Sequence, residues 1–394
     1  MGRTLSINRI VIMAFLVNTI YCMVWPLSTV YLTGEFKLKL SVVGIVLLVY
    51  SCLNALGSAI AGRLFDRKNP FIVLMLGLLG LTGSVFIGLM WRGAIGYIVF
   101  LMPFGFTTGW VLTVQYALVS YMDHDKNSKR DFNLLYLGVN VGLVVGAGAL
   151  GALYHGHGLV LLMSVILMFV VTLILVASLF LPVRFENVEH EAIVTAPVED
   201  LHREHNSHIV IRMMISLFAI WLSYSQWMSN FSVYFLTIGL TTSFYSQLWI
   251  VNGIGIILVQ TLLLKFPKVF KKTLSQAEFG VTFLCLSFLV LLLGKSESLI
   301  IISMTLLTIG EALFVPAAPV VVDEYTALVN KGRNQGLVNV FSSLGKASGP
   351  AIGGMIIERS GYKNLFVFAE VILVSAFVLI EIRTKRHSQN GFIK

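Results

Sequence analysis

Two ionisable side chains set in long apolar runs are the places where this chain could do chemistry. Glu311 lies near the middle of the run 299–322, and Lys346 lies in a second run that ends glycine-rich, from Gly345 to Gly354. A polar turn, 323–335, separates them and holds Lys331 and Arg333. Each run is long enough to cross a bilayer, which takes about 20 residues of helix. A charge at mid-depth in hydrocarbon is costly unless it is paired or hydrated, so it marks a functional position by default. If the first run passes inward and the second outward, the two charges sit at similar depth. Burial and a nearby ammonium push a carboxyl's proton affinity in opposite senses. A movement that parts the pair would let the site take a proton on one side of the membrane and lose it on the other. The competing reading is a static ion pair, whose use is to avoid a lone charge in lipid. Glu370 is a second acid inside an apolar run, read as structural or interfacial.

The rest of the chain is what must position that pair. Hydrophobic residues are 57% of the 394 and charged residues 12%, where soluble domains have roughly 45–50% and about 25%. A soluble fold of this length would need more charge than the chain possesses. Twelve apolar segments are expected to span, at 10–33, 41–64, 71–91, 95–122, 132–154, 159–181, 210–238, 245–264, 277–294, 299–322, 337–357 and 365–382. The first is too long, and too poor in small residues at its end, for a cleaved leader. The net charge of +9 is not a nucleic-acid signal. With the N-terminus inside, twenty-one Lys and Arg fall in cytoplasmic connections and the span ends beside them, Arg63 and Arg212 included, and six in outer connections, so the positive-inside rule puts both termini in the cytoplasm. Cys22, Cys52 and Cys285 lie in apolar runs, make no zinc spacing and read as small core residues. The expected fold class is an all-α integral membrane protein, twelve transmembrane helices in two pseudo-symmetric six-helix bundles. The divisions are a bundle at 1–182, a cytoplasmic linker at 183–209, and a second bundle with its cytoplasmic tail at 210–394. In the linker region His202, His205 and His208 are spaced three apart, but its six acids mark a solvated connection rather than a metal site.

The two halves look related. An offset of 203 residues carries Tyr21 onto Tyr224, Arg130 onto Arg333, Gly142 onto Gly345, Gly146 onto Gly349 and Gly151 onto Gly354. Carriers are often built from such repeats, with the substrate site at the repeat interface. Polar and aromatic residues recur on single helical faces: Asn18, Tyr21, Cys22 and Trp25 in span one; Ser223, Gln226, Trp227 and Asn230 in span seven; Asn339, Ser342, Ser343 and Lys346 in span eleven. Gln115, Tyr136, Asn140 and Asn252 add polar groups in spans four, five and eight. Such groups can simply hydrogen-bond between helices. Stripes mixing rings with amides are better explained by a hydrated, ligand-sized cavity. The expected substrate-binding set is therefore Asn18, Tyr21, Trp25, Gln115, Tyr136, Asn140, Gln226, Trp227, Asn230, Asn252, Asn339 and Ser343. Glycines at four-residue spacing, such as Gly142 and Gly146, allow close helix approach.

Between spans two and three the chain reads Gly62-Arg63-Leu64-Phe65-Asp66-Arg67-Lys68. This resembles the Gly-x-Leu-x-Asp-Arg signature of the major facilitator superfamily. Gly345, Gly349, Pro350, Gly353 and Gly354 resemble that family's exporter-type glycine–proline motif, here in span eleven rather than span five. Gly310-Glu311 followed by Pro316 looks like span ten of bacterial drug:proton antiporters. Beyond Lys68 the chain departs from the family pattern with Asn69-Pro70-Phe71, which shortens the loop's charge relay to Asp66, Arg67 and Lys68 with Asp123. Span four lacks the arginine many members carry and span one has no carboxylate, so coupling is not expected through the first half. Independently of any family, a carboxylate such as Asp66 at a helix end can cap a neighbouring helix N-terminus. Gly62, Asp66, Arg67 and Asp123 are thus an expected conformational latch, with a plain turn as the alternative.

Other chemistry is not expected. Gly294-Lys295-Ser296 lacks the upstream glycine of a phosphate-binding loop, no span holds a metal-ligand cluster, and His155-Gly156-His157 is a poor catalytic pair. The sequence points to a carrier and not an enzyme, without cofactor or nucleic acid, monomeric in a bacterial cytoplasmic membrane. Its partners are protons and a small molecule, and its expected task is proton-coupled efflux of amphipathic compounds by alternating access. A dedicated carrier of one metabolite (sugar, siderophore or lipid-linked glycan) and a transporter-like sensor without flux are the alternatives.

Overall fold

The computed structural model describes residues 5–38, 40–91, 93–122, 128–153, 158–180 and 207–381. The first six helices are α1 (Ile7–Gly34), α2 (Leu40–Arg67), α3 (Pro70–Met90), α4 (Ala94–Tyr121), α5 (Ser128–Leu153) and α6 (Gly158–Phe180). They are followed by α7 (Ser207–Met228), α8 (Asn230–Thr237), α9 (Thr242–Lys265), α10 (Thr273–Leu293), α11 (Glu297–Glu324) and α12 (Lys331–Glu381). The expected spans are all present, with two differences in how they are joined. Span seven is broken at Ser229, whose φ of −125° and ψ of −72° leave the helical region, and α8 forms its end. Spans eleven and twelve are the two arms of α12, which turns at Gly361 with φ 81° and ψ 174°. That backbone favours a residue without a Cβ.

Local chemistry starts several helices. Asn69 accepts from the Phe71 N–H at 2.9 Å ahead of Pro70, which cannot donate and so suits a first helical position. Thr241 caps α9 through the Phe244 N–H, and Ser296 caps α11 through the Leu299 N–H.

The polarity of these helices is the reverse of a soluble protein's. On α9, Ile250, Ile254, Leu258 and Leu262 form one exposed stripe, while Asn252, Ile256 and Gln260 are buried on another face. Water would penalise so large an apolar surface, and lipid does not.

Two compact units result. The first is Met1–Leu201 together with Ala327–Val340, and the second is His202–Thr326 together with Phe341–Lys394. The start of α12 thus groups with the first unit. In the first unit α1 packs on α5 and α6, α2 on α4, and α3 on α4 and α6. In the second, α11 is the central element, with α7, α9 and α10 against it.

The 203-residue offset holds contact by contact. A Cβ on Gly142 would lie 2.5 Å from the Phe15 carbonyl oxygen, and one on Gly345 would lie 2.5 Å from the Phe218 carbonyl oxygen. Gly146 abuts the Thr19 carbonyl, and Gly349 the Leu222 carbonyl. Positions 15, 19, 142 and 146 map onto 218, 222, 345 and 349. The same seam is therefore built twice.

Candidate functional site

The second unit's site begins with a proline inside α11. Pro316 lacks an N–H and so strands the Ala312 carbonyl one turn back in α11. The Gln260 amide of α9 donates to that oxygen, and the Gln276 amide of α10 donates to the next, Leu313, at 3.0 Å. Buried backbone in lipid must be satisfied within the protein, and these two amides do so. They also fix the turn of α11 that carries Glu311.

Glu311 is buried, with 8% of its surface accessible. Its Oε2 accepts from the Tyr224 hydroxyl of α7 at 2.7 Å and from the Asn252 amide of α9 at 3.0 Å. Asn252 also donates to the Thr308 hydroxyl at 3.1 Å, one turn before the carboxylate. The Tyr224 ring meets Trp221 edge-to-face at 5.1 Å and Trp249 at 6.4 Å. The Lys346 ammonium lies 3.7 Å from the centroid of the Trp221 ring, well within cation–π range. The two mid-depth charges singled out in the sequence therefore share one neighbourhood, bridged by Trp221 and Tyr224.

The first unit carries a neutral counterpart. Tyr21 and Thr108 stand 203 residues before Tyr224 and Glu311. Tyr21 and Thr108 both lie near the buried Tyr50. The Thr108 hydroxyl donates to the Phe104 carbonyl of its own helix at 2.6 Å, so a threonine bound to its own backbone stands where the second unit has its acid.

The other expected substrate residues are placed as follows. Asn18 and Asn140 donate to carbonyls of their own helices, Ala14 and Tyr136, each at 2.8 Å. Gln115 is fully buried, and neither end of its amide has a hydrogen-bond partner among the described residues. Tyr136 is buried, and Ser343 is half-buried on α12. Gln226 donates to the Gly349 carbonyl at 2.9 Å and accepts from Asn230 at 2.7 Å. Asn230 reaches Pro350 at 3.4 Å. Trp227 has no exposed surface and sits against Phe231 and Phe235. Gln226, Trp227 and Asn230 are thus committed to holding α7 and α8 in place. Gly353 lies against the Gln226 side chain. The side chain of Trp25, the whole of Asp123, and His155, His157, His202 and His205 lie outside the described residues.

At the end of α2, Asp66 Oδ1 accepts from the Gly332 N–H at 2.6 Å and Oδ2 from the Arg333 N–H at 2.7 Å. Both donors belong to the first turn of α12, where the helix dipole favours an anion. Gly62 touches the Gly332 carbonyl, Gly336 lies against Ser58, and Asn339 donates to the Ser58 hydroxyl. Ser58, Gly62 and Asp66 thus form a seam at four-residue spacing along α2. Arg67 is exposed at its end.

Sequence reasoning missed Tyr224 as a donor to Glu311, and Trp221 altogether. The alignment of Tyr21 with Tyr224 was the available signal for the first, and the Trp221–Tyr224 spacing of three for the second.

Among the described residues ten helices are long and apolar enough to cross a membrane, which defines a multi-pass membrane protein. Residues 10–286 and 277–392 match the family model described as the Major Facilitator Superfamily. The chain belongs to this superfamily and is a secondary transporter of small molecules, multi-pass in the membrane. It is similar to the uncharacterized MFS-type transporter YttB of Bacillus subtilis (strain 168), 31% identical over 394 residues, covering 98% of this chain and 96% of YttB. Among solved structures it resembles the human organic anion transporter MFSD10 (TETRAN), with a TM-score of 0.78 at 14% identity over 95% of this chain and 98% of that one. The Major Facilitator Superfamily transporter FucP is equally similar, with a TM-score of 0.78 at 12% identity over 96% and 98%. At such identities the likeness is one of fold.

Proposed function

We propose that the protein exports amphipathic small molecules in exchange for protons, by alternating access, as a monomer in a bacterial cytoplasmic membrane with both termini inside. The observation that carries this reading is Glu311 held by two neutral donors, Tyr224 and Asn252, beside the Lys346 ammonium. A hydroxyl and an amide can orient a carboxyl in either protonation state, since a hydroxyl can reverse and a protonated oxygen still accepts. The ammonium favours the charged form and the dry surroundings the neutral one. A change in either, as the units move, exchanges a proton. Thr108 in the first unit, at the position equivalent to Glu311, confines coupling to the second. The test is a proteoliposome carrying an internal pH dye. Adding a transported compound should shift the internal pH, in proportion to its concentration. Compounds that cross with no pH change would end the coupling reading.

Asp66 serves here as the latch, formed in one state of the cycle and released in the other. Asp66→Ala removes two charge-assisted hydrogen bonds from backbone N–H groups. At partial exposure their combined loss is on the order of 2 kcal/mol. Hydrogen exchange at Gly332 and Arg333 should then quicken by about 30-fold, with transport slowed. Unchanged exchange at those two amides would mean that the contact does not hold the helix start.

A further inference from the structure

We propose that the second unit binds its substrate through Lys346 and that the substrate is an amphipathic organic anion, a carboxylate joined to an aromatic or other flat apolar body. This rests on the transport reading above and names the chemistry of its cargo. Three observations carry it.

The first is which of the two charges is available. Glu311 is buried, and its Oε2 takes donors from two different helices. Lys346 lies well inside the first arm of α12, with its ammonium on the face of the buried Trp221 ring, and keeps exposed surface. A side chain that is both deep and accessible faces a space and not the close-packed core. The charge that an incoming molecule meets is therefore positive.

The second is the ammonium's spare capacity. Lysine carries three N–H donors and no acceptor. The contact that the structure gives Lys346 is the Trp221 face, which attracts the cation without using its donors as an oxygen would. A carboxylate can take those donors in short, charge-assisted bonds. A cationic substrate would instead be set beside a like charge, and the nearby acid, Glu311, already accepts from Tyr224 and Asn252.

The third is the surface next to the lysine. Trp221 leads through Tyr224 to Trp249, and Trp249 meets Tyr245 at 6.1 Å. Trp249 and Tyr245 are half-buried, and Tyr245 is fixed by its hydroxyl donating to the Trp227 carbonyl at 2.8 Å. Rigid rings of this kind offer flat apolar contact a short distance from the ammonium, which matches a molecule with one anionic end. Few placed polar groups on an aromatic wall are the usual composition of a small-molecule site.

The experiment uses two xanthene dyes that share one ring system and carry opposite charge: fluorescein, an anion, and tetramethylrhodamine methyl ester, a cation. Binding to the purified full-length protein in detergent is followed by fluorescence polarisation. Fluorescein should bind at least about tenfold more tightly than the rhodamine. Lys346→Met should weaken fluorescein by about tenfold or more, while Lys346→Arg, which keeps the charge, stays within about threefold. On the unmutated protein, benzoate should displace fluorescein and benzyl alcohol should not, which decides the matter even if Lys346→Met fails to fold. Rhodamine binding as tight as fluorescein, an unchanged affinity in Lys346→Met, or no binding of either dye would each overturn the proposal. Flux in proteoliposomes separates this from the function it rests on. Lysine-dependent fluorescein binding without flux leaves the anion site standing and removes the export reading. Glu311-dependent flux of the rhodamine alone removes the anion site and leaves transport.

Discussion

Glu311→Gln should abolish uphill transport, so that a pH gradient no longer drives accumulation above the equilibrium ratio, while substrate binding stays within about threefold of the original. The substitution is nearly isosteric, and the amide oxygen of glutamine can still accept from Tyr224 and Asn252 at the positions now held by Oε2. The helix is separately secured by Gln260 and Gln276 on the carbonyls near Pro316, so the site's geometry should survive. What disappears is the proton that can be taken up and released. Gradient-independent counterflow should persist and should lose its dependence on pH. The measurement is paired: accumulation driven by a pH step, and counterflow at symmetric pH. A static ion pair makes the opposite forecast. Replacing one partner would leave Lys346 uncompensated and lower stability by about 3–5 kcal/mol, with driven accumulation retained in whatever protein remains folded. Retained accumulation therefore ends the coupling assignment for Glu311.

Gly349→Leu should prevent the protein from accumulating in folded form, whereas Gly354→Leu, five residues on in the same glycine-rich stretch, should be tolerated. A Cβ at Gly349 would lie 2.7 Å from the Leu222 carbonyl and would overlap the Ser225 hydroxyl. Nothing lies within 4 Å of one at Gly354. Overpacking a fitted contact costs about 1–3 kcal/mol and occasionally more. Here the obstacle is backbone, so the helices must separate, and the Gln226–Gly349 hydrogen bond goes with them. The total approaches a large part of the roughly 5–15 kcal/mol that holds a typical domain together. At Gly354 the change removes a flexible residue from a helix, which is neutral or slightly favourable. Size-exclusion profiles and thermal unfolding of the two variants in detergent check this. Equal behaviour of the pair would show that the seam is not close-packed in the membrane.

Much of this was legible in the chain itself, for reasons that particular residues make plain. Apolar runs of bilayer length announce spans because lipid imposes one length on every helix that crosses it. Glu311 and Lys346 stand out because hydrocarbon makes a buried charge conspicuous. The glycines at 142, 146, 345 and 349 betray the repeat because a helix seam tolerates so few side chains. The partners of the charges were harder to read. The expected face of span seven ran through Ser223, Gln226, Trp227 and Asn230, whereas Trp221 and Tyr224 are the residues beside the charges. On a helix enclosed by others, nearly every face is buried, so periodicity does not say which neighbour each side meets. Gln260 is similarly opaque, because its use depends on a carbonyl stranded by Pro316 on another helix. The break at Ser229 carries neither proline nor glycine to mark it.

That break has a consequence for motion. Before the break the seventh span is stapled to α12 by the Gln226 amide; beyond Ser229 its ladder restarts as the separate, eight-residue α8, held to α12 at its first residue, Asn230. The sequence places Pro26, which has no N–H to give, 203 residues before Ser229. α1 nevertheless runs through Pro26 as one helix, Ile7–Gly34, so the joint belongs to the second unit alone, whose tip can swing while Glu311 and Lys346 keep their places.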